Sequence, residues 1–134
     1  MTIISEDGEM GVDFGGYEFW QSLFSTIMKL YVNDKKAIPQ TTDFFTKIKC
    51  KKGKINELLL ELSDIRNKLI SEPIDSFVYD VSNCDIKPKW FYELSKDVKN
   101  CFEIFTTPEG EYTIDEFIQL LEYARAHKIG IVEA

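Results

Sequence analysis

The hydrophobic positions change period along the chain, and each period predicts an element. From Phe19 onward, Trp20, Leu23, Phe24, Ile27, Met28 and Tyr31 recur at three- and four-residue spacing, which places them on one face of a helix. Asn33 and Asp34 end that helix, and Pro39 is expected to bar an early restart. After Gly53, a second stripe runs through Ile55, Leu58, Leu59, Leu62, Ile65 and Leu69, with Glu57, Glu61, Asp64 and Lys68 off it, until Pro73 stops it. A third stripe, Ile114, Phe117, Ile118, Leu121 and Ala124, predicts a helix from about Ile114 to His127. Between the helical stretches the pattern shortens. TIIS and MGVDFGGYEF flank the turn-forming SEDGE and predict a hairpin. DSFVYDV and CFEIFT are β-branched and aromatic enough to be strands, and IGIVEA reads as a short closing strand. TTDFFTKIKC suits a short helix or a strand equally. Residues 82–89 read as a loop and 94–100 as a short helical turn. The order β, β, α, α, β, β, α, β implies one α/β (α+β) domain over residues 1–134, with about three main helices on a mixed or antiparallel sheet.

Composition narrows the class. A chain of 134 residues, 44% hydrophobic and 29% charged, is long enough for one sizeable core and ordinary for a soluble globular protein. No run approaches a membrane span, and MTIISEDGEMG has neither the basic start nor the apolar stretch of a signal peptide. Three cysteines, Cys50, Cys84 and Cys101, share no metal-binding spacing with one another or with the single histidine, His127. The expectation is a reduced cytoplasmic protein without a disulfide framework, zinc site or cofactor. Net charge is −7, and five of the cations, Lys47, Lys49, Lys51, Lys52 and Lys54, stand in one cluster; without them the charge would be −12. An acidic surface disfavours nucleic acid and membranes and favours a basic protein partner. The lysine run could meet phosphate, but it reads more simply as a solvated loop leading into a helix.

One stretch, TTPEGEYTIDEFIQLL, carries the back half of a calcium loop: Gly110 at its sixth position and Glu116 at its twelfth. The front half is missing. Phe105 would hold the first position, where a hard cation needs oxygen, and Pro108 stiffens the middle. A turn at Thr107-Pro108-Glu109-Gly110 accounts for the same residues. It is followed by a capping box of Thr113 with Glu116 and a hydrophobic staple of Tyr112 on Phe117.

Signals for catalysis are weak. His127 falls in the last turn of a helix, where a histidine complements the dipole. Cys101 sits among apolar residues, where a thiol behaves as a small hydrophobe. Gly15-Gly16 lacks the further glycine and the basic residue of a phosphate loop. Carboxylate pairs such as Asp13 with Glu18, or Glu109 with Glu111, are common in any acidic chain. The expectation is a binding protein and not an enzyme. Two alternatives stay open: an adaptor or subunit with another partner, and a small enzyme with a carboxylate-lined pocket.

The order of several short motifs resembles a known family. FWQSLFSTIM (19–28) is followed by a helix containing DIRNKL (64–69), then FVYDV (77–81) and PKW (88–90). A T-x-x-G turn, a leucine-rich helix and a terminal strand close the chain. This order, over roughly residues 10–134, resembles the immunity protein 70 family of bacterial polymorphic-toxin systems. SEDGEM and the lysine-rich stretch 47–54 do not fit the pattern. The resemblance implies a cytoplasmic immunity protein of the contact-dependent growth inhibition type. It would bind and neutralise the C-terminal domain of a cognate toxin, a basic nuclease in the expected case. It implies no metal and no catalytic residue, and it supplies no shared binding positions. Residue type alone therefore names the candidates. The first is the loop 85–93, with Asp85, Trp90, Phe91, Tyr92 and Glu93, because three successive aromatics cannot all be buried on one face. The second is the turn with Glu109 and Glu111. The third is the acidic hairpin end with Glu6, Asp7 and Glu9. Against each stands a plainer reading: two aromatics packed on the core and one at a strand edge, and acidic turns that are solvated.

Overall fold

A computed structural model describes residues 1–134. The N-terminal hairpin forms as expected from β1 (Thr2–Ser5) and β2 (Gly11–Asp13), with Gly8 in its turn at φ +74°. The C-terminal β4 (Ile131–Glu133) pairs with the other side of β1, and a two-residue β3 (Lys49–Cys50) pairs with β4. The sheet is antiparallel throughout, in the order β2-β1-β4-β3, so β2 and β3 are its opposite edges. The fold is α+β, with five helices beside this sheet.

Helix α1 (Tyr17–Leu30) buries Trp20, Leu23 and Ile27 as the stripe required. It also buries a polar row, Ser22, Ser25 and Thr26, which the stripe did not predict. Pro39 does not bar the next helix. It is the first residue of α2 (Pro39–Lys47), a position where the missing N–H of proline costs no helical bond. The free amides of that first turn are capped from a neighbouring helix, α3 (Ile55–Ser71). Glu61 of α3 accepts the N–H of Gln40 (3.0 Å), the N–H of Thr41 (2.8 Å) and the Thr41 hydroxyl (2.9 Å). Ile48, in the left-handed region at φ 58°, ends α2 and turns the chain into β3. TTDFFTKIKC thus holds both a helix and a strand. Helix α5 (Thr113–His127) lies against α3 and the sheet, buries Ile114, Phe117, Leu121 and Ala124, and adds Leu120. The central core is aromatic: Phe14, Trp20, Phe44 and Phe117 meet in edge-on or tilted pairs with centroids 4.9–5.7 Å apart.

Two expected strands are not strands. Residues 77–81 form no strand, with a bend at Tyr79 and a turn beginning at Val81; side chains of α1 take up their main chain instead. The Thr26 hydroxyl accepts from Val78 N (3.0 Å) and donates to Val78 O (3.0 Å). Ser25 Oγ accepts from Val81 N (3.2 Å), and Gln21 Nε2 donates to Tyr79 O (3.2 Å). The segment is a strap across α1. Residues 101–104 form turns because the Asn100 side chain accepts the N–H groups of Phe102 (3.1 Å) and Glu103 (2.9 Å), curling the chain before a ladder can start. Cys101, Phe102, Ile104 and Phe105 are all buried, so the burial has no two-residue period. The aromatic triplet lies on α4 (Lys89–Leu94), and the helical turn expected at 94–100 follows it as a 3-10 turn over Ser95–Asp97.

Candidate functional site

The turn with Glu109 and Glu111 closes as a tight hairpin. Gly110 N donates to Thr107 O (2.8 Å), Thr107 N donates to Glu111 O (2.7 Å), and Gly110 takes φ +86°. A type I turn followed by a left-handed glycine is a standard three-residue hairpin connection. A bridge between Thr106 and Tyr112 carries it into α5. The expected capping box is absent. Tyr112 in extended conformation is the N-cap, Thr113 is already helical, and no side chain caps the helix start. The reason is local: Thr113 N donates to Phe105 O (2.9 Å), which fixes the chain one residue earlier. Tyr112 packs on Phe102 at 4.8 Å instead of stapling Phe117, which lies in the core. Glu116 is therefore free of the capping role.

Glu116 instead faces a cleft of about 400 Å³ along the β2 edge, together with Glu109, Glu111 and Asp13. Its remaining walls are Thr2, Gly11, Val12 and Thr107. Asp13 uses Oδ1 to accept the Gly15 N–H (2.8 Å). No three carboxylates converge on a point where a metal ion would sit, so the charge is spread along the cleft. Glu109 and Glu111 are the only sequence-predicted candidates that the fold brings here. Asp13 and Glu116 were legible as acids, but not as neighbours.

The third candidate group divides. Asp7 accepts from Ser5 Oγ (2.6 Å), from the Tyr123 hydroxyl (2.7 Å) and from Glu9 N (3.1 Å); these bonds hold its carboxyl below the usual range. The same contact pushes the Tyr123 hydroxyl up to about 12. Glu6 accepts the Gly130 N–H and fastens the hairpin end to the residue before β4. Glu9 alone has an exposed carboxylate with no partner in the chain. Two of these three acids are thus anchors of the fold.

The first candidate group surrounds α4. Phe91 is buried, stacked on Phe77 at 4.6 Å, and reaches a partner only through what it supports. Trp90 is half-buried and lies on Phe19 at 4.6 Å, with Nε1 buried and without a hydrogen-bond partner. Tyr92 is 58% exposed, and Asp85 and Glu93 are exposed beside it in sequence. Lys87 braces the group, donating to Phe77 O at 2.7 Å with its ammonium over the Phe91 ring. The plainer reading matches in part: two aromatics pack inward and one faces out, though on a helix and not at a strand edge.

Four of the five clustered lysines, Lys47, Lys49, Lys51 and Lys54, line a separate hollow of about 510 Å³ with Asp43 and Cys50. It lies at β3, the edge of the sheet remote from the acidic cleft. Burial pushes the Cys50 thiol up to about 11 and the Cys101 thiol up to about 12. Cys101 donates to Pro73 O at 3.3 Å, while exposed His127 stacks on Tyr123 at 4.0 Å; the two do not form a pair. No helix is long and apolar enough to cross a membrane.

In comparison with known proteins, the family described as Immunity protein 70 matches residues 6–132, nearly the whole chain. No curated protein and no solved structure matches it.

Proposed function

Because the chain belongs to the immunity protein 70 family, and is thus an immunity protein against a toxin, we propose that it neutralises a cognate nuclease domain by direct binding, without catalysis, in the cytoplasm. The observation that carries the nuclease reading is the cleft holding Asp13, Glu109, Glu111 and Glu116. A nuclease holds phosphate with lysine and arginine, and an acidic cleft offers those side chains a substitute for the nucleic-acid backbone. Spread carboxylates steer a basic partner in quickly, while desolvated anchors set how slowly it leaves. Exposed Tyr92, with Asp85 and Glu93, supplies a second contact of the type that interfaces favour.

A titration against the toxin domain encoded beside this gene, in a catalytically inactivated form, tests the reading. The measurement is made at about 50 and 200 mM salt, where phosphate-like contacts separate clearly from apolar ones. The expected result is a tight one-to-one complex whose affinity falls with salt. Folded partners that fail to bind at either concentration would remove the reading.

A further inference from the structure

The β2 edge offers more than charge. In an antiparallel ladder, successive residues turn their main-chain groups alternately toward and away from the paired strand. Ser5 N donates to Met10 O (2.8 Å) and Phe14 N donates to Met1 O (2.8 Å), so Met10, Val12 and Phe14 face β1. Gly11 and Asp13 therefore turn their N–H and C=O groups outward, into the acidic cleft, where nothing in the chain pairs with them. We infer that the toxin docks by laying a basic extended segment along this edge as a fifth strand. Gly11 and Asp13 exchange main-chain hydrogen bonds with it, and Asp13, Glu109, Glu111 and Glu116 receive its cations.

The lining of the cleft selects that occupant. Val12 is its one hydrophobic wall, so apolar burial contributes little and main-chain pairing with charge must supply recognition. The carboxylates do not converge on a single ion, and a spread set suits cations repeating along a strand. Side chains on one face of a strand recur about every 7 Å. Acids at an exposed edge normally guard against edge-to-edge aggregation. The same acids repel the β2 edge of a second copy and any acidic strand, and leave a basic segment as the favoured guest. The inference rests on the toxin-binding reading and adds to it the mode of contact.

Amide exchange followed residue by residue, on the free chain and on its complex with the inactivated toxin domain, tests it. In the free chain, Gly11 and Asp13 should exchange fast and Val12 slowly. In the complex, Gly11 and Asp13 should slow by roughly tenfold or more, as paired strand amides do. The double variant E109Q/E111Q, whose side chains make no bond that holds the fold, should weaken binding roughly tenfold at low salt. A complex in which both amides keep their free rates overturns edge docking and leaves the immunity function standing. Failure of two folded partners to associate overturns that function as well. Protection that appears in the free chain as its concentration rises assigns the edge to a second copy and also overturns the inference.

Discussion

Replacing Thr26 with valine isolates the reason why residues 77–81 are a strap. The hydroxyl accepts from Val78 N and donates to Val78 O, both at 3.0 Å, and Val78 is 3% exposed. Valine fills nearly the same volume, so the packing of α1 survives while both bonds vanish. A buried backbone group without a partner costs about 1–3 kcal/mol, and two such groups cost about 2–6 kcal/mol. The strap can draw back toward water, which trims the upper end, and T26V should lose about 2–4 kcal/mol. T26S keeps the hydroxyl and loses one buried methyl, worth about 1 kcal/mol. Urea unfolding, with midpoints compared at unchanged slope, reads both values. Toxin binding at the β2 edge should persist wherever the chain stays folded. T26V within about 0.5 kcal/mol of the parent, or T26S as damaging as T26V, would refute the assignment, because the strap would then be held by the packing of Phe77 and Val78 alone.

Three further outcomes are expected. Changing Lys47, Lys49, Lys51, Lys52 and Lys54 together to glutamine takes the charge from −7 to −12 and should leave toxin protection intact in a growth-competition assay; loss of protection with the fold preserved would move the interface to the basic edge. Gly130→Ala should lower the thermal midpoint, because a Cβ there would stand 2.5 Å from Cys50 O and 2.9 Å from Glu6 Oε1; overpacking of this kind costs about 1–3 kcal/mol, and an unchanged midpoint would show that the strand end yields freely. Burial raises the thiols of Cys50 and Cys101 from 9.0 to about 11 and about 12, so above pH 9 the folded state holds more protons than the unfolded one. Their contribution is complete below pH 9 and is lost as pH rises toward 12. Unfolding at pH 8 and pH 10.5 should show that decline, and C50A/C101A should reduce it, leaving the part that the raised hydroxyls of Tyr31 and Tyr123 contribute. At pH 8, native alkylation should mark Cys84 well before the other two.

The helices were legible because a 3.6-residue stripe has one physical cause, a single buried face, and α3 kept every residue of its stripe. Pro39 reads as a stop in the sequence yet opens α2, because proline is hostile inside a helix but suited to its first turn, and only the fold shows where the turn falls. DSFVYDV and CFEIFT have the composition of strands because buried irregular segments need the same apolar side chains. What separates the two is the partner of the main chain, and here that partner is remote in sequence: Thr26 lies 52 residues from Val78. Asn100 was a local signal for the second segment, since its side chain commonly ties its own following amides into a turn. For the candidate surfaces, residue type singles out Glu109 and Glu111, while Asp13 and Glu116, which line the same cleft, carry no such local signal. Their meeting depends on β2 being an edge strand, a fact of sheet order that no local pattern contains. Glu6 and Asp7 could not be told from free acids, because their partners Gly130 and Tyr123 lie 124 and 116 residues away.

The strand order has one more consequence. The carboxylates flank β2 and the lysines flank β3, two edge strands that lie three interstrand steps, roughly 14 Å, apart. These two groups together form a local electric dipole whose axis runs across the strands. A strongly cationic body produces a torque on that dipole and rotates the chain acid-edge foremost before the surfaces touch. That torque acts within about a Debye length, about 8 Å at physiological salt, and is screened beyond it, so any orienting effect weakens as salt rises.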